Sequence, residues 1–180
     1  GCMKRVYFAL TLMIISVISF AQITSLTAVT EEWPDCTHAD GTGLYWEILK
    51  LVYEPEGITV NHGTYPYARA QNMVQTKEAD ILVGPYLDEI EQVIYSKHHI
   101  DNDLVFAVFK KDKVADWKGK ESLKGTIGWV RGYAYDKYLG MKLDYYEVNN
   151  TETGLKMLNA GRLDFFLDAE AQLEPTFESG

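Results

Sequence analysis

The sequence has few cysteines and few prolines, with two Cys, five Pro and 14 Gly in 180 residues. This composition excludes a disulfide-dense scaffold and a collagen-like repeat. Basic residues are also scarce: 17 Lys and Arg stand against 26 Asp and Glu, which gives a net charge of −9. A basic nucleic-acid-binding domain is therefore not expected, because little would neutralise phosphates over a broad face. The hydrophobic content of 47% excludes disorder and is typical of one globular domain or two small lobes.

The N-terminus has the pattern of a secretory signal. Lys4 and Arg5 precede a mostly apolar run from Val6 to Ala21, which ends in Ser19-Phe20-Ala21 with small residues at the −3 and −1 positions. We predict a signal peptide over residues 1–21 that is cleaved after export. The alternative is an uncleaved anchor, but this run is shorter than the roughly 20 residues that span a bilayer. Cleavage removes two basic residues and changes the net charge from −9 to −11. It leaves Cys36 as the one cysteine, so no intramolecular disulfide is expected.

The rest of the chain alternates short apolar runs with segments of helical periodicity. Such alternation favours an α/β fold with mostly parallel strands. The predicted strands are Ile23–Val29, Ile58–Val60, Ala79–Val83, Leu104–Phe109, Thr126–Val130, Tyr145–Val148 and Leu163–Leu167. The predicted helices are Leu44–Val52, a segment from Pro66 to Val74, Tyr133–Leu139 and a segment capped by Asn150 that runs to Asn159.

One segment is echoed later in the chain. Residues 73–83 and 157–167, which lie 84 positions apart, both run from a helix end through a tight turn and an Asp into an apolar strand. The echo predicts two similar α/β lobes rather than one continuous sheet. We place the first lobe at residues 22–107 and the second at residues 108–180.

Motifs for catalysis, metal binding and cofactor binding are missing from the sequence. None of the four His residues stands in a nucleophile motif, and His98-His99 is best explained as part of a solvated loop. Gly41-Thr42-Gly43 does not complete a dinucleotide-binding loop. The sequence therefore predicts no catalytic residues, no metal site and no cofactor.

Candidate ligand-binding residues follow the predicted strands, where open α/β sheets bind ligands. Arg131-Gly132-Tyr133 connects a strand to a helix N-terminus, an arrangement that favours an anion such as a carboxylate, although an ordinary exposed arginine is the alternative. Trp33 and Gly84-Pro85-Tyr86 follow two other strands, and Tyr67 opens a helix. Trp33, Tyr67 and Tyr86 are placed for stacking on a ligand. The aromatic residues assigned to packing are Trp46, Phe106 and Phe166.

From about Ser25 to Phe177 the sequence resembles the family 3 extracellular solute-binding proteins, the periplasmic components of amino-acid-type ABC transporters. Each similar stretch is weak by itself, and it is their order and spacing that carry the resemblance. These stretches are Asp40-Gly41-Thr42-Gly43-Leu44, Tyr65-Pro66-Tyr67-Ala68-Arg69-Ala70, Glu78-Ala79-Asp80-Ile81-Leu82-Val83-Gly84, Tyr95-Ser96, Leu123-Lys124-Gly125, Arg131-Gly132-Tyr133 and Gly161-Arg162-Leu163-Asp164.

The resemblance implies a type II periplasmic-binding-protein-like fold, in which two α/β lobes close on a small polar solute. It implies a monomer in the periplasm that delivers an amino acid or a related compound to a membrane permease, with no chemistry of its own and no nucleic-acid partner. The implied ligand-binding residues are Trp33, Tyr67, Arg69, Gly84, Pro85, Tyr86, Arg131, Gly132, Tyr133 and Asp168. The hinge would pass through Val105–Lys110.

Three departures from the family pattern affect this interpretation. The family holds the ligand α-carboxylate with an Arg, but Glu89 stands at that position, which disfavours a standard amino acid unless Arg69 or Arg131 replaces the lost guanidinium. Asp168, expected near the family's ammonium-binding acid, lies four residues after Asp164 where the family usually has five. The sequence also stops at Gly180, inside the second lobe, so the resemblance implies a C-terminally truncated member or gene fragment with the second lobe and return segment incomplete.

Three other interpretations remain open at the level of sequence. The same module could be the extracellular ligand-sensing domain of a signalling protein. It could be an enzyme on the same fold, although no convincing pair of carboxylates is present. It could also be a remnant that binds nothing, with an exposed sheet edge that favours aggregation.

Overall fold

The computed structural model describes residues 22–178, and the predicted signal peptide lies outside this range. A first sheet consists of β1 (Ser25–Thr30), β2 (Thr59–Thr64) and β3 (Ile81–Leu82) in the order β2-β1-β3. Both pairings are parallel. Helix α1 (Leu44–Tyr53) connects β1 to β2, and α2 (Tyr67–Gln75) connects β2 to β3. These connections are the crossovers that parallel strands require.

A second sheet consists of β4 (Val105–Val108), β5 (Ile127–Val130), β6 (Tyr145–Val148) and β7 (Phe165–Ala169) in the order β4-β7-β5-β6. Strand β4 runs antiparallel to β7, and the other pairings are parallel. The helices of this unit are α3 (Tyr135–Leu139), α4 (Thr151–Asn159) and α5 (Glu170–Glu178). The predicted domain boundary at 107/108 falls inside β4, and the division into domains stays a prediction.

The repeated segment makes the same contacts in both sheets. In the first sheet the Asp80 carboxylate accepts a hydrogen bond from Thr27 N (2.8 Å), and the Asp80 N–H donates to Thr27 O (2.9 Å). In the second sheet the Asp164 carboxylate accepts from Thr126 N (2.8 Å), and the Asp164 N–H donates to Thr126 O (2.7 Å). Each Asp therefore ties a helix-to-strand turn to the first parallel strand of its sheet.

The core continues from one sheet to the other. Val29 of β1 and Tyr67 of α2 belong to the same buried cluster as Ile127, Trp129 and Phe166 of the second sheet. A second cluster, which includes Trp46 of α1, covers the opposite face of the first sheet. Consecutive residues of β1 enter different clusters, because side chains alternate between the two faces of a strand.

Most predicted elements are present, and the ends of several differ from the prediction. Strand β3 has two residues where five were predicted, and α5 was not predicted. The packing roles of Trp46 and Phe166 are confirmed, since both are fully buried. The packing role of Phe106 is wrong: its side chain is 42% exposed because β4 lies at the edge of its sheet. No helix between residues 22 and 178 is long and apolar enough to cross a membrane.

Candidate functional site

The carboxyl ends of β1 and β5 meet between the two sheets. Glu31 and Trp33 follow β1, and Tyr133 follows β5. The Trp33 indole Nε1–H donates to the Tyr133 hydroxyl (3.2 Å), and that hydroxyl donates to Glu31 Oε2 (3.0 Å). A direct hydrogen-bonded bridge thus connects the loops at the ends of the two strands, and we call it the Trp33–Tyr133–Glu31 bridge.

Two more aromatic side chains pack against the aromatic members of this bridge, and we call the four rings together the aromatic cluster. Its members are Trp33, Tyr67, Tyr133 and Tyr135. The Tyr67 ring lies 5.8 Å from the Trp33 ring and 5.4 Å, edge-on, from the Tyr133 ring. The Tyr133 and Tyr135 rings are 5.7 Å apart. Edge-to-face contacts at these distances are favourable. The three tyrosines are buried and Trp33 is partly buried.

Glu89 lies beside this cluster and is buried. Its carboxylate accepts hydrogen bonds from Tyr86 N (2.8 Å), from the Gln71 amide and from the Tyr67 hydroxyl. Burial raises the pKa of Glu89, and these hydrogen bonds oppose that rise. Gln71 also donates to Gly132 O (3.2 Å), so the same amide joins Glu89 to the loop after β5.

Asp168 lies on β7 and has no solvent exposure. Thr151 Oγ1 at the start of α4 donates to one carboxylate oxygen (2.7 Å), and Ala169 N donates to the other (2.9 Å). Burial raises the pKa of Asp168 to about 7, and the negative charges of Glu31 and Asp103 act in the same direction.

The three carboxylates Glu31, Glu89 and Asp168, called the cleft carboxylates below, lack an ion-pair partner. No Lys or Arg among residues 22–178 forms a salt bridge with any of them. The Lys137 ammonium approaches Glu89 but donates to its backbone carbonyl (3.3 Å). Burial also raises the pKa of Glu31. In the described part of the chain no group of three or more His, Cys, Asp or Glu is arranged to hold a metal ion.

The structure brings together most of the residues that the sequence predicts for the site. Trp33, Tyr67 and Tyr133 are in the aromatic cluster, and the charge of Asp168 acts on Tyr133. Gly84 lies directly against Trp33, since a Cβ at this position would be 2.6 Å from Trp33 Cζ3. The remaining predicted residues nearby are Pro85 and Tyr86, which lead toward Glu89, and Gly132, which contacts Gln71.

The two predicted arginines lie apart from this cluster. Arg131 is 59% exposed, and its Nε is 3.8 Å from Glu147 Oε2. Arg69 is exposed, and its guanidinium lies 4.7 Å above the Tyr65 ring. In this arrangement neither guanidinium takes the place of the family's carboxylate-binding Arg, whose position in this sequence is held by Glu89. The contact of each predicted residue with a ligand stays a prediction.

Besides Glu89, three residues in or beside the aromatic cluster were not predicted as site residues: Glu31, Gln71 and Tyr135. Glu31 follows β1 directly, so the strand-end argument that selected Trp33 applies to it as well. Tyr135 opens α3 and Gln71 lies inside α2, and no sequence signal distinguishes either from an ordinary helical residue. The Tyr135 hydroxyl is buried and has no well-formed hydrogen bond within residues 22–178, and the neighbouring Tyr86 hydroxyl donates to Asp103 (3.0 Å).

No known family model matches the sequence, and no curated protein matches it significantly. Solved structures do resemble the fold. The GluR0 ligand-binding core in complex with L-glutamate has a TM-score of 0.69 and 17% identity, over 86% of this chain and 74% of that one. A mutant of arginine-bound ArgBP from T. maritima has a TM-score of 0.66 and 16% identity, over 87% and 78%.

A third similar structure is an ancestral amino acid-binding protein described as a precursor of cyclohexadienyl dehydratase. Its TM-score is 0.63 with 17% identity, over 82% of this chain and 71% of that one. Identities this low show the fold alone. The chain therefore has the two-lobed type II periplasmic-binding-protein fold, and its structural neighbours include proteins that bind amino acids.

Proposed function

We propose that the chain binds a small polar solute between its two sheets and delivers it unchanged to the membrane permease of an ABC transporter. The observation that carries the proposal is the Trp33–Tyr133–Glu31 bridge, because it places polar groups of both lobes at one point. That point is the strand-end location where α/β sheets bind ligands. In this proposal the protein acts as a monomer in the periplasm after loss of residues 1–21, and binding stabilises the closed arrangement of the lobes.

Ligand-dependent thermal stabilisation tests the proposal. The purified chain is screened by thermal unfolding against amino acids, amines and small organic acids, and at least one solute should raise Tm with a dependence on its concentration. A panel in which no solute raises Tm contradicts the proposed function.

A single-atom change tests whether the bridge takes part. Tyr133→Phe removes the hydroxyl that joins Trp33 to Glu31 and leaves the ring contacts in place. We expect its affinity for the solute found in the screen to fall about tenfold, since a hydrogen bond to a charged group contributes about 1.5 kcal/mol or more. Tyr146→Phe is the matched control, because Tyr146 is 55% exposed on β6. Full affinity in both Tyr133→Phe and Trp33→Ala would place the binding site elsewhere.

The likeness to the GluR0 ligand-binding core favours one second candidate, an extracellular ligand-sensing domain. The two functions differ in where the protein resides. Release of the native protein from cells by osmotic shock supports the carrier function. Retention with the membrane after a wash at high salt supports the receptor function.

The proposal also requires that the solute is not transformed. After overnight incubation with stoichiometric protein, mass spectrometry should recover the bound solute at its original mass. A mass loss equal to one water would instead favour a dehydratase, the kind of enzyme named for the ancestral neighbour.

A further inference from the structure

Negative charge is concentrated at the proposed site, and the cleft carboxylates form no ion pair among residues 22–178, although the charge of Lys137 acts on Glu89. Glu89 is 6% exposed, Asp168 is fully buried, and Glu31 is partly buried. Their hydrogen-bond partners are neutral groups: tyrosine, threonine and tryptophan side chains, one amide and two backbone N–H groups. Burial of an ionised carboxylate without an ion pair is unfavourable, so a bound cation would offset the cost of burying Asp168 and Glu31.

A second observation, independent of the acids, also points to a ligand. The Tyr135 side chain is 3% exposed, and its hydroxyl has no well-formed hydrogen bond within residues 22–178. Its ring contacts Tyr133, and the charge of Asp168 is the strongest that acts on it. The neighbouring Tyr86 hydroxyl acts on it but donates to Asp103. Buried polar groups without a well-formed hydrogen bond are rare in folded proteins. A ligand N–H that donates to this hydroxyl, next to Asp168, would satisfy it.

The surroundings also disfavour a carboxylate on the ligand. Arg131 and Arg69 lie outside the cluster, and the exposed Lys137 donates to the Glu89 carbonyl (3.3 Å) rather than into the cluster. A ligand carboxylate near Glu89 would meet like charge in a site of low dielectric constant. The partly buried Trp33 ring, which lies 5.8 Å from the buried Tyr67 ring, suits a cationic group instead.

We propose that the solute is an organic cation without a carboxylate, of the alkylamine or alkylguanidine class. This inference rests on the proposed function. The cleft carboxylates attract the ammonium or guanidinium group of the solute. The solute has no carboxylate that Glu89 would repel. The alkyl part of the solute packs on the aromatic cluster.

Paired probes that differ in one carboxylate test this inference. Agmatine is compared with arginine, and putrescine with ornithine, by isothermal titration calorimetry of the purified chain at pH 8. We expect the decarboxylated member of at least one pair to bind at least tenfold more tightly than its amino acid. Equal affinities, or tighter binding of the amino acids, would overturn the inference and leave the proposed function in place.

Binding of neutral or acidic amino acids without any binding of the four probes would also overturn the inference alone. A failure of every solute would contradict the inference and the proposed function together. The outcomes of the two proposals are thus distinguishable in one set of titrations.

A variant locates the discrimination at Glu89. Glu89→Gln keeps the size of the side chain and an oxygen that can accept from Tyr86 N, but it removes the negative charge. We expect weaker binding of agmatine and a smaller agmatine-to-arginine ratio than in the native chain. The matched control is Glu91→Gln, since Glu91 is exposed. An unchanged ratio in Glu89→Gln with native thermal stability would exclude Glu89 as the residue that selects against the carboxylate.

Discussion

Asp168 is the most deeply buried carboxylate among residues 22–178. It accepts hydrogen bonds from Thr151 and the Ala169 amide, and its charge acts on Tyr133 and Tyr135. Burial raises its pKa to about 7, from an ordinary value of 3.8. In the unfolded chain Asp168 ionises near pH 4, so between about pH 4 and pH 7 the folded state binds more protons than the unfolded state. The contribution of this group to stability therefore falls as the pH rises through that range.

Asp168→Asn should stabilise the ligand-free chain at pH 8, because the neutral amide carries no cost for buried charge. We expect a gain of about 2 kcal/mol at pH 8 that decreases toward pH 4 and disappears below it, where the native carboxyl is protonated in both states. Urea unfolding of the native chain and of Asp168→Asn across this pH range measures the difference in their free energies of unfolding. Thr151 Oγ1 can still form a hydrogen bond to the amide. A difference in stability that does not change with pH would contradict the ionisation argument.

The raised pKa of Asp168 also makes the affinity for a cation depend on pH. A cation interacts with the ionised form, which is depleted as the pH falls through about 7. We expect the affinity for an alkylamine or alkylguanidine to decrease about tenfold from pH 8 to pH 6, since deprotonation must accompany binding at the lower pH. Asp168→Asn should bind weakly at both pH values. Calorimetry at the two pH values measures the change, and a pH-independent affinity would exclude Asp168 from the site.

Among the secondary-structure elements, the repeated helix-to-strand turn shows how one local pattern serves two sheets. The turn passes through a left-handed residue in both copies: Lys77 has φ of 63° and Gly161 has φ of 70°. Glycine adopts this conformation freely, whereas an L side chain is strained in it. The first copy therefore carries a conformational cost that the second avoids.

Lys77→Gly should stabilise the chain by about 0.5 to 1 kcal/mol, because it removes that strain at a helix C-terminus. Lys77→Ala is the control, since alanine keeps the Cβ and the strain. Chemical denaturation at pH 7 measures both variants. Equal stabilisation by Gly and Ala would show that the lysine side chain, rather than the backbone conformation, is unfavourable at this turn.

On the scale of the whole molecule, the two sheets are held together by contacts made near the proposed site. Gly132 has φ of 94°, and a Cβ there would lie 2.9 Å from Gln71 Oε1 and 3.4 Å from Ala68. The loop after β5 thus packs tightly on α2 of the other sheet. Added volume at this point displaces the flexible end of the Gln71 side chain, which also donates to Glu89.

Gly132→Ala should weaken solute binding, because the new Cβ displaces the Gln71 amide that joins Glu89 to the loop after β5. Gly140→Ala is a matched control, because Gly140 also has a positive φ (63°) but no atoms within 4 Å of its Cβ position. Both variants introduce backbone strain, and only Gly132→Ala introduces the contact with α2. Calorimetry of both variants measures the affinity, and an unchanged affinity in Gly132→Ala would show that binding does not depend on this contact.

Much of the fold follows from local patterns. The Asn150 cap, whose side chain accepts from Thr153 N (2.9 Å), and the strand Tyr145–Val148 have the predicted positions. Strand β3 is shorter than predicted because a strand ends where its pairing ends, and β3 pairs with β1 at two positions only. Pairing partners are far apart in sequence, so local periodicity does not define such ends.

Some features of the candidate site also follow from local sequence, and others depend on the tertiary structure. Sequence alone determined the alternation of strands and helices, the repeated turn and the strand-end positions of Trp33, Gly84 and Tyr133, because each depends on neighbouring residues. Only the tertiary structure decided that Glu31, Glu89 and Asp168 meet the aromatic cluster while Arg69 and Arg131 stay outside it. The reason is physical: burial and charge pairing depend on how two distant loops approach each other, and that approach is set by the packing of one lobe on the other.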